Sequence, residues 1–112
     1  MSQLKLFKEV NKDIDVVSEY ILSLNSKEEQ AKLFALLEKI NEGGAKYLVK
    51  TLEYNTRKLE EDLFEIKVSK NRFLYCYSDS NIVYVVHAFY KSTQKTPKKD
   101  LALARSRIRG WS

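Results

Sequence analysis

Residues 82–97, which read IVYVVHAFYKSTQKTP, join the most apolar β-branched run of this 112-residue chain to a polar, basic segment. A short run rich in Val, Ile and Tyr is typical of a buried strand. The segment that follows begins at His87, the only histidine, and ends at Pro97, the only proline. The pattern predicts a buried strand that leads directly into a cationic, hydrogen-bonding loop. We interpret the rest of the chain as the scaffold for this junction.

Three further stretches have the spacing of strands. Leu63–Val68 and Arg72–Tyr77 have a period of two, and with Ile82–Phe89 they form three strands joined by short turns, which makes neighbouring strands antiparallel. Gln3–Val10 alternates more weakly and is predicted to be a first strand. Residues 45–60 stay ambiguous, because their apolar spacing also permits another helical turn or two.

Helical spacing appears in three places. Residues 14, 17, 21 and 24 are apolar, so a helix is predicted over Ile14–Leu24, capped within residues 11–13. Ser26 to Glu29 matches a capping box and starts a second helix, which Gly43-Gly44 should end. Thr96 is expected to cap a last helix with Pro97 at its first position. Its apolar side would be lined by Leu101, Ala104 and Ile108, with Arg105, Arg107 and Arg109 mostly outside. The order β-α-α-β-β-β-α predicts one α+β domain over 1–112, with an antiparallel sheet, a helical hairpin on one face and a C-terminal helix.

The alternation of residues predicts two different sheet faces. One is uniformly apolar and packs on the helical hairpin; it carries Phe64, Ile66, Val68, Phe73, Tyr75, Tyr77, Ile82, Tyr84, Val86 and Ala88. The other is mixed and carries Glu65, Lys67, Arg72, Leu74, Cys76, Val83, Val85, His87 and Phe89. The mixed face is either an RNA-binding surface or an ordinary half-solvated sheet face.

The turn positions predict a register for the three strands. Leu74 would face Val85, Arg72 would face His87, and Lys67 would face Leu74. Lys67, Arg72 and His87 would then cluster at one edge, beside the loop at 90–95. A slip of one residue would move Lys67 to the other face.

Charge is unevenly distributed along the chain. The net charge is +5, but residues 1–65 contain 10 Lys or Arg against 13 Asp or Glu, whereas residues 66–112 contain 10 against 2. A C-terminal part at +8 favours a polyanionic partner, and nucleic acid is the first candidate.

Composition also limits the cellular setting. The single cysteine, Cys76, cannot form an intrachain disulfide and is predicted to be a small buried hydrophobic residue. The N-terminus has no apolar leader, and no apolar run approaches the ~18 residues that span a bilayer. A cytoplasmic protein with no membrane partner is expected.

The residues favour chemistry without a cofactor. His, Cys and carboxylates lack metal-ligand spacing, no glycine loop for phosphate is present, and no nucleophile–base set can be defended by spacing. Neither a metal nor a cofactor is therefore expected. Arg, Lys, His and Tyr can cleave RNA by promoting attack of the 2′-hydroxyl on the neighbouring phosphate.

Two segments resemble a known toxin family. RFLYCY at 72–77 and VYVVHAFYKSTQKTPKKD at 83–100 resemble the phage-derived HigB-like branch of the RelE/ParE toxin superfamily, whose members read R-x-x-Y-F and then I-V-L-L-H-G-F-x-K-K-T-Q-K-T-P. LFEIK at 63–67 is similar to the family's L-Y/W-E-L-R strand. The departures are Ala88 for Gly, Ser92 for the second Lys, and a longer segment at 45–58.

The resemblance implies a RelE-like fold and the toxin of a type II toxin–antitoxin module. Such toxins are endoribonucleases (mRNA interferases), often cutting mRNA on the ribosome, and a helix-turn-helix, HigA-like antitoxin neutralises them. The partners expected are that antitoxin, mRNA and the ribosome, with operator DNA bound through the antitoxin. The predicted catalytic residues are Lys67, Arg72, His87 and Lys91; the predicted RNA-binding residues are Lys70, Tyr90, Gln94 and Lys95.

Two other functions stay open at this point. One is a ParE-like inhibitor that binds DNA gyrase without catalysis. The other is a plain basic nucleic-acid-binding module, with steep salt dependence and no cleavage.

Overall fold

The computed structural model describes residues 3–51, 55–78, 81–91 and 95–111. Within this part of the chain it has an α+β fold with five strands in one mixed sheet and three helices. The elements are β1 (Leu4–Leu6), α1 (Val16–Leu22), α2 (Lys27–Thr51), β2 (Thr56–Glu60), β3 (Leu63–Val68), β4 (Asn71–Tyr77), β5 (Val83–Tyr90) and α3 (Lys98–Trp111).

The sheet has the strand order β1-β5-β4-β3-β2. The three central strands have nearly the predicted bounds and pair antiparallel. The expectation of a purely antiparallel sheet is wrong, because β1 pairs parallel with β5, with Leu4 opposite Val83 and Leu6 opposite Val85. A parallel neighbour needs a long crossover, and the helices and strands between β1 and β5 supply it.

The ambiguous segment 45–60 is divided between two kinds of structure. Its start continues α2 as far as Thr51, and its end forms β2, which pairs antiparallel with β3 at the edge of the sheet. The sequence of β2, TRKLE, has too few apolar residues to show a period of two. An edge strand is held by backbone hydrogen bonds to one neighbour and needs no apolar alternation, so the sequence pattern did not reveal β2.

Local hydrogen bonds explain the helix starts. Asp15 caps α1 by accepting a hydrogen bond from Ser18 N at 2.7 Å, so the cap predicted at 11–13 is wrong by two residues. The predicted capping residue of α2 is confirmed, since Glu29 N donates to Ser26 Oγ at 3.1 Å.

Gly44 interrupts α2 with φ 63° and ψ −148°, and the helix resumes after it. A Cβ at this position would lie 2.3 Å from the carbonyl oxygen of Asn81, so both the conformation and the space require glycine. Asn81 then caps the second segment, because its main-chain and side-chain oxygens accept from Ala45 N and Lys46 N. The predicted break at the glycine pair is therefore present, but it does not end the helix.

The core has two layers, one on each face of the sheet. Helices α1 and α2 bury Val17, Ile21, Leu33, Leu37, Ile40 and Leu48 against one face, whose sheet residues are Ile66, Phe73, Tyr75, Val83, Val85 and Ala88. Burial of each large side chain contributes about 1.5–3 kcal/mol, so this layer supplies most of the apolar stabilisation.

Helix α3 covers part of the opposite face. Ala104 is buried there, and Leu101 and Ile108 pack beside it as predicted. Their sheet partners include Leu74, Cys76 and Val86. The two alternatives for this face, an RNA-binding surface and a half-solvated face, therefore do not describe its apolar end, which α3 covers. Only the end that holds the charged residues extends beyond α3.

Candidate functional site

Lys67 and Arg72 are direct cross-strand partners. They lie opposite each other in the β3–β4 pair, joined by the two-residue turn Ser69-Lys70, in which Ser69 has φ 58°. The predicted pairing of Lys67 with Leu74 is therefore wrong by two residues, because it requires the turn at Lys70-Asn71, one residue further along the chain. Directly opposed side chains on one face have Cβ atoms about 5 Å apart, so the two cations are closer neighbours than the sequence indicated.

The β4–β5 pairing separates His87 from Arg72. Arg72 lies opposite Phe89, and His87 lies opposite Leu74, so the predicted pairing of Arg72 with His87 is wrong. One extra residue in β5, Val86, shifts the register beyond this point. A bulge of this kind changes which side chains share a face. Val83 and Val85 consequently face α1 and α2, whereas Tyr84 and Val86 face α3, the reverse of the predicted assignment.

Glu65 lies at the centre of the charged end of this face and is only 2% exposed. Arg57 Nε is 3.2 Å from its Oε1, and Arg72 Nε is 3.8 Å from the same oxygen. Thr96 Oγ1 donates to Oε2 at 2.9 Å. Thr96 was predicted to cap the last helix; instead it ties the segment before α3 to Glu65, and α3 begins after Pro97.

The guanidinium of Arg72 is held in one orientation. Its Nη1 donates to the main-chain oxygens of Ser69 and Asn71, at 2.7 and 3.0 Å, which fixes it on the β3–β4 turn. Its Nε is buried and makes no hydrogen bond to the described atoms, although Glu65 lies within 4 Å. Arg72 is thus oriented before any ligand arrives, with donor capacity left over.

Lys91 adds a further cation at the end of β5. It is 7% exposed, and its main-chain N donates to Lys70 O at 2.8 Å, which anchors the strand end on the β3–β4 turn. Burial lowers the pKa of the Lys91 ammonium; Glu65 opposes this, and the charges of Arg57, Arg72 and Lys67 lower it further. No carboxylate among the described residues pairs with the ammonium within 4 Å.

We call this group the cationic cluster: Arg57, Lys67, Arg72 and Lys91 around Glu65. Four cations face one carboxylate, which leaves a surplus of about three positive charges. Arg72 and Lys91 are buried, whereas Arg57 and Lys67 are exposed. Keeping two like charges buried near each other is unfavourable unless a counter-charge joins them. A phosphate group would supply that charge and can accept the planar donors of arginine. The arrangement can therefore bind a phosphate and stabilise extra charge that develops on it.

His87 belongs to a separate group, which we call the histidine network: His87, Asp100 and Arg107. His87 Nε2 is 2.6 Å from Asp100 Oδ1, and Arg107 Nη1 donates to His87 Nδ1 at 3.2 Å and to Val86 O at 2.8 Å. The prediction that Arg107 lies mostly outside is wrong, because its side chain is 11% exposed and also stacks on Phe7 at 4.8 Å.

The network favours one protonation state of His87. A guanidinium has no acceptor, so Nδ1 must carry the lone pair and Nε2 the proton. Burial lowers the pKa of His87; the hydrogen bond and charge of Asp100 oppose this, and Arg107 lowers the pKa further. Both ring nitrogens are occupied, and the ring also stacks on Phe89 at 5.4 Å. The geometry favours a link between β5 and α3 over proton transfer; the catalytic assignment itself stays a prediction.

The remaining predicted residues are more dispersed. Lys70 is exposed in the β3–β4 turn, next to the cationic cluster, and Lys95 is exposed before α3. Gln94 lies outside the described residues. Tyr90 is 57% exposed but lies on the other face, beside Tyr20 and Asn71. The structure therefore brings together Lys67, Arg72 and Lys91, places Lys70 beside them, and separates His87 and Tyr90 from them.

Sequence reasoning missed Arg57, Glu65, Asp100 and Arg107. Arg57 and Glu65 lie opposite each other in β2 and β3, in the same row as Leu74 and His87. The alternation did put Glu65 on the correct face. Because β2 was not predicted, nothing in the sequence indicated that Arg57 lies near Glu65. Asp100 and Arg107 are seven residues apart on α3, which places them two turns apart on one side of the helix.

Two kinds of feature are absent from the described residues, a metal site and a membrane-spanning helix. No group of three or more His, Cys, Asp and Glu side chains is arranged to hold a metal ion. No described helix has the length and apolar character required to cross a membrane.

Fold and site together define a small basic α+β protein with a cluster of cations around a buried carboxylate at one end of its sheet. Residues 19–109 match the family described as "Phage derived protein Gp49-like (DUF891)", so the chain belongs to that family. It is a RelE/toxin-like family associated with the toxins of toxin–antitoxin systems. No curated protein matched the chain significantly.

Proposed function

We propose that the protein is a HigB-like toxin of a type II toxin–antitoxin module and acts as a metal-independent endoribonuclease on mRNA. The observation that carries this proposal is the cationic cluster, in which four cations surround one buried carboxylate. Membership of a toxin-associated family supports the same class. Cleavage of mRNA on the ribosome would arrest translation and growth.

Two residues of the cluster, Arg72 and Lys67, bind the phosphate. Arg72 is oriented by the β3–β4 turn and places its guanidinium charge beside the phosphate, while Lys67 lies directly opposite it. Charge on these oxygens increases as the 2′-hydroxyl attacks, so cations placed beforehand stabilise the transition state more than the ground state. This is where most of the rate enhancement arises.

Proton transfer uses Lys91. Glu65 is 2% exposed and both of its oxygens have partners, so it holds the cations in place instead. The proton of the attacking 2′-hydroxyl passes to solvent water. Lys91 donates a proton to the leaving 5′-oxygen. The pKa of Lys91 is below that of an ordinary lysine because of burial and the three neighbouring cations, and a lower pKa makes its ammonium the stronger acid.

The partners follow from the same class. A helix-turn-helix antitoxin of the HigA kind would neutralise the toxin, and the pair would bind operator DNA through the antitoxin. The surplus of positive charge in residues 66–112 is suited to the ribosomal RNA that surrounds an mRNA.

The test is RNA cleavage in the presence of a chelator, comparing the protein with Arg72→Lys. This variant keeps the charge beside Glu65 but loses the planar guanidinium that the turn holds in one orientation, so cleavage should fall by about 100-fold or more. Arg105→Lys, at an exposed arginine paired with Glu60, is the matched control and should cleave normally. Products should end in a 2′,3′-cyclic phosphate and a 5′-hydroxyl.

Other outcomes assign another function. Inhibition of gyrase supercoiling without RNA fragments would identify a ParE-like inhibitor. Salt-sensitive RNA binding without cleavage, on or off ribosomes, would leave only a binding module.

A further inference from the structure

A groove lies on the other face of the sheet, just behind the cationic cluster. Asn71 and Tyr90 are cross-strand partners, next to the pair of Arg72 and Phe89. Successive residues of a strand face opposite sides, so Asn71 and Tyr90 face away from Arg72. The groove has a volume of about 730 Å³ and is lined by Tyr20, Ser26, Glu29, Lys70, Asn71 and Tyr90.

The groove and the cluster share the β3–β4 turn. Lys70 lines the groove, while its main-chain oxygen holds the main chain of Lys91, a cluster residue. An RNA strand that follows the cations around this turn is therefore led to the groove. The phosphate would remain on one face and the adjoining base would enter the groove on the other.

The side wall of the groove is an exposed aromatic ring. Tyr90 is 57% exposed, and its ring makes no ring–ring or cation–π contact with the described residues. Exposed aromatic rings beside cationic groups are stacking platforms for unpaired bases, and stacking contributes to affinity whatever the base.

The floor of the groove is built mainly from hydrogen-bond acceptors. Tyr20 Oη donates to Asn71 Oδ1 at 2.6 Å, and Asn71 Nδ2 donates to Glu29 Oε1 at 2.7 Å and to Val68 O at 3.2 Å. Both amide hydrogens of Asn71 are used. Burial, Tyr90 and Glu29 raise the pKa of Tyr20 to about 12, so the phenol keeps its proton and its bond to Asn71.

Among the polar side chains that line the groove, Glu29 carries the carboxylate, which has acceptor capacity beyond its bond to Asn71. A carboxylate is matched by two adjacent N–H donors. Among the four RNA bases only guanine presents such a pair, at N1 and N2 of its pairing edge. On the same edge, adenine, cytosine and uracil each have only one nitrogen that can donate a hydrogen bond.

We propose that this groove binds an unpaired guanine of the RNA, stacked on Tyr90 and hydrogen-bonded to Glu29, next to the phosphate held by the cationic cluster. This rests on the proposed function, since it assigns the base preference of the same RNA-binding surface. Asn71 is a positioning residue here, because it holds Glu29 and Tyr20 in place.

The experiment measures binding without cleavage. The Lys91→Met variant is titrated with short fluorescent RNAs that differ at one position in an otherwise uridine sequence: guanosine, inosine or uridine. Guanosine should bind about tenfold more tightly than uridine, and inosine, which lacks the N2 amino group, should lie between them. Free guanosine monophosphate in excess should compete weakly, because it lacks the strand that reaches the cluster.

Two variants locate the preference. Glu29→Gln should lose most of the discrimination while binding uridine RNA at least as well, and Tyr90→Ala should weaken all three RNAs. The matched controls are Glu28→Gln, one residue away on α2, and Tyr77→Ala, at the other end of β4; both should keep the preference. Thermal unfolding of each variant verifies that the fold is intact.

The outcomes separate this inference from the proposed function. Equal binding of guanosine and uridine RNAs, or a preference that survives Glu29→Gln, would overturn the guanine site while cleavage by the wild-type protein still upheld the nuclease. If competition by guanosine monophosphate alone abolishes RNA binding, the groove is a free-nucleotide site and the assignment to RNA is wrong. Absence of any RNA binding overturns both.

Discussion

The cationic cluster and the histidine network lie on the same sheet face, and His87, Phe89 and Lys91 of one strand connect them. They differ in how charge is balanced. In the network, Arg107 pairs with Glu9, and His87 is bonded through one ring nitrogen to Asp100 and through the other to Arg107. In the cluster, four cations share Glu65. A balanced buried group holds two elements together, whereas an unbalanced group is completed by a ligand.

The largest effect is expected when the Lys91 ammonium is removed from the cationic cluster. Lys91→Met keeps the aliphatic stem but removes the ammonium that protonates the leaving oxygen, so single-turnover RNA cleavage should fall by about 100-fold or more. Removing one of several like charges should not lower the melting temperature.

Lys39→Met, at an exposed lysine of α2 on the other side of the sheet, controls for the change in net charge and should cleave normally. Cleavage by Lys91→Met within threefold of wild type would show that the proton comes from elsewhere.

The next largest effect is expected when the His87 ring is removed from the histidine network. His87→Ala leaves Asp100, which is 8% exposed, without its ring partner, so the free energy of unfolding should drop by about 2–4 kcal/mol in urea titrations. Cleavage per folded molecule should change by less than about fivefold.

Combining His87→Ala with Asp100→Ala measures the coupling, and the double variant should lose less than the sum of the single losses. A large loss of turnover at unchanged stability would instead establish the catalytic role that the sequence assigned to His87.

A smaller effect concerns how many phosphates the cluster neutralises. Lys67→Ala should reduce the slope of log affinity against log salt by about 0.7 for single-stranded RNA, since one counterion contact is lost. The measurement is fluorescence anisotropy between 50 and 300 mM salt. Lys39→Ala should leave the slope unchanged, and an equal decrease in both variants would mean that the protein binds RNA through diffuse charge.

The smallest effect is the pH dependence of stability from His87. Its pKa in the folded protein is lowered below the ordinary 6.5, so the unfolded chain binds the proton more readily. The contribution of His87 to the free energy of unfolding is fully present above about pH 6.5. It is lost as the pH falls through the lower pKa that His87 has in the folded protein. Urea unfolding of His87→Gln should show a flatter profile over this window, and a wild-type profile that becomes more stable on acidification would contradict the linkage.

Much of the fold could be predicted because local rules specify it. Period-two alternation located β3, β4 and β5, the Ser26 cap located the start of α2, and the buried thiol of Cys76 was expected from its apolar strand. These features depend on residues close together in sequence. The same local signals failed for β2, because an edge strand is defined by the partner it pairs with.

The site was predictable only in part. Lys67, Arg72 and Lys91 were named from their residue types and from the family resemblance, and the structure brings them together. The grouping with His87 was wrong, because the β3–β4 turn lies one residue earlier than the predicted register requires and the extra residue Val86 changes which side chains are neighbours. Register errors of this size cannot be corrected from alternation alone.

The sequence by itself determined that the strand at 82–89 leads into a cationic segment, because composition and period are properties of the chain. Only the tertiary structure decided that Glu65 lies among the cations, and that α3 covers His87 but leaves Lys91 beyond its end. The physical reason is that burial and charge balance depend on contacts between distant elements. Arg57 reaches Glu65 from a strand the pattern did not reveal, and Thr96 reaches it across 31 residues of sequence.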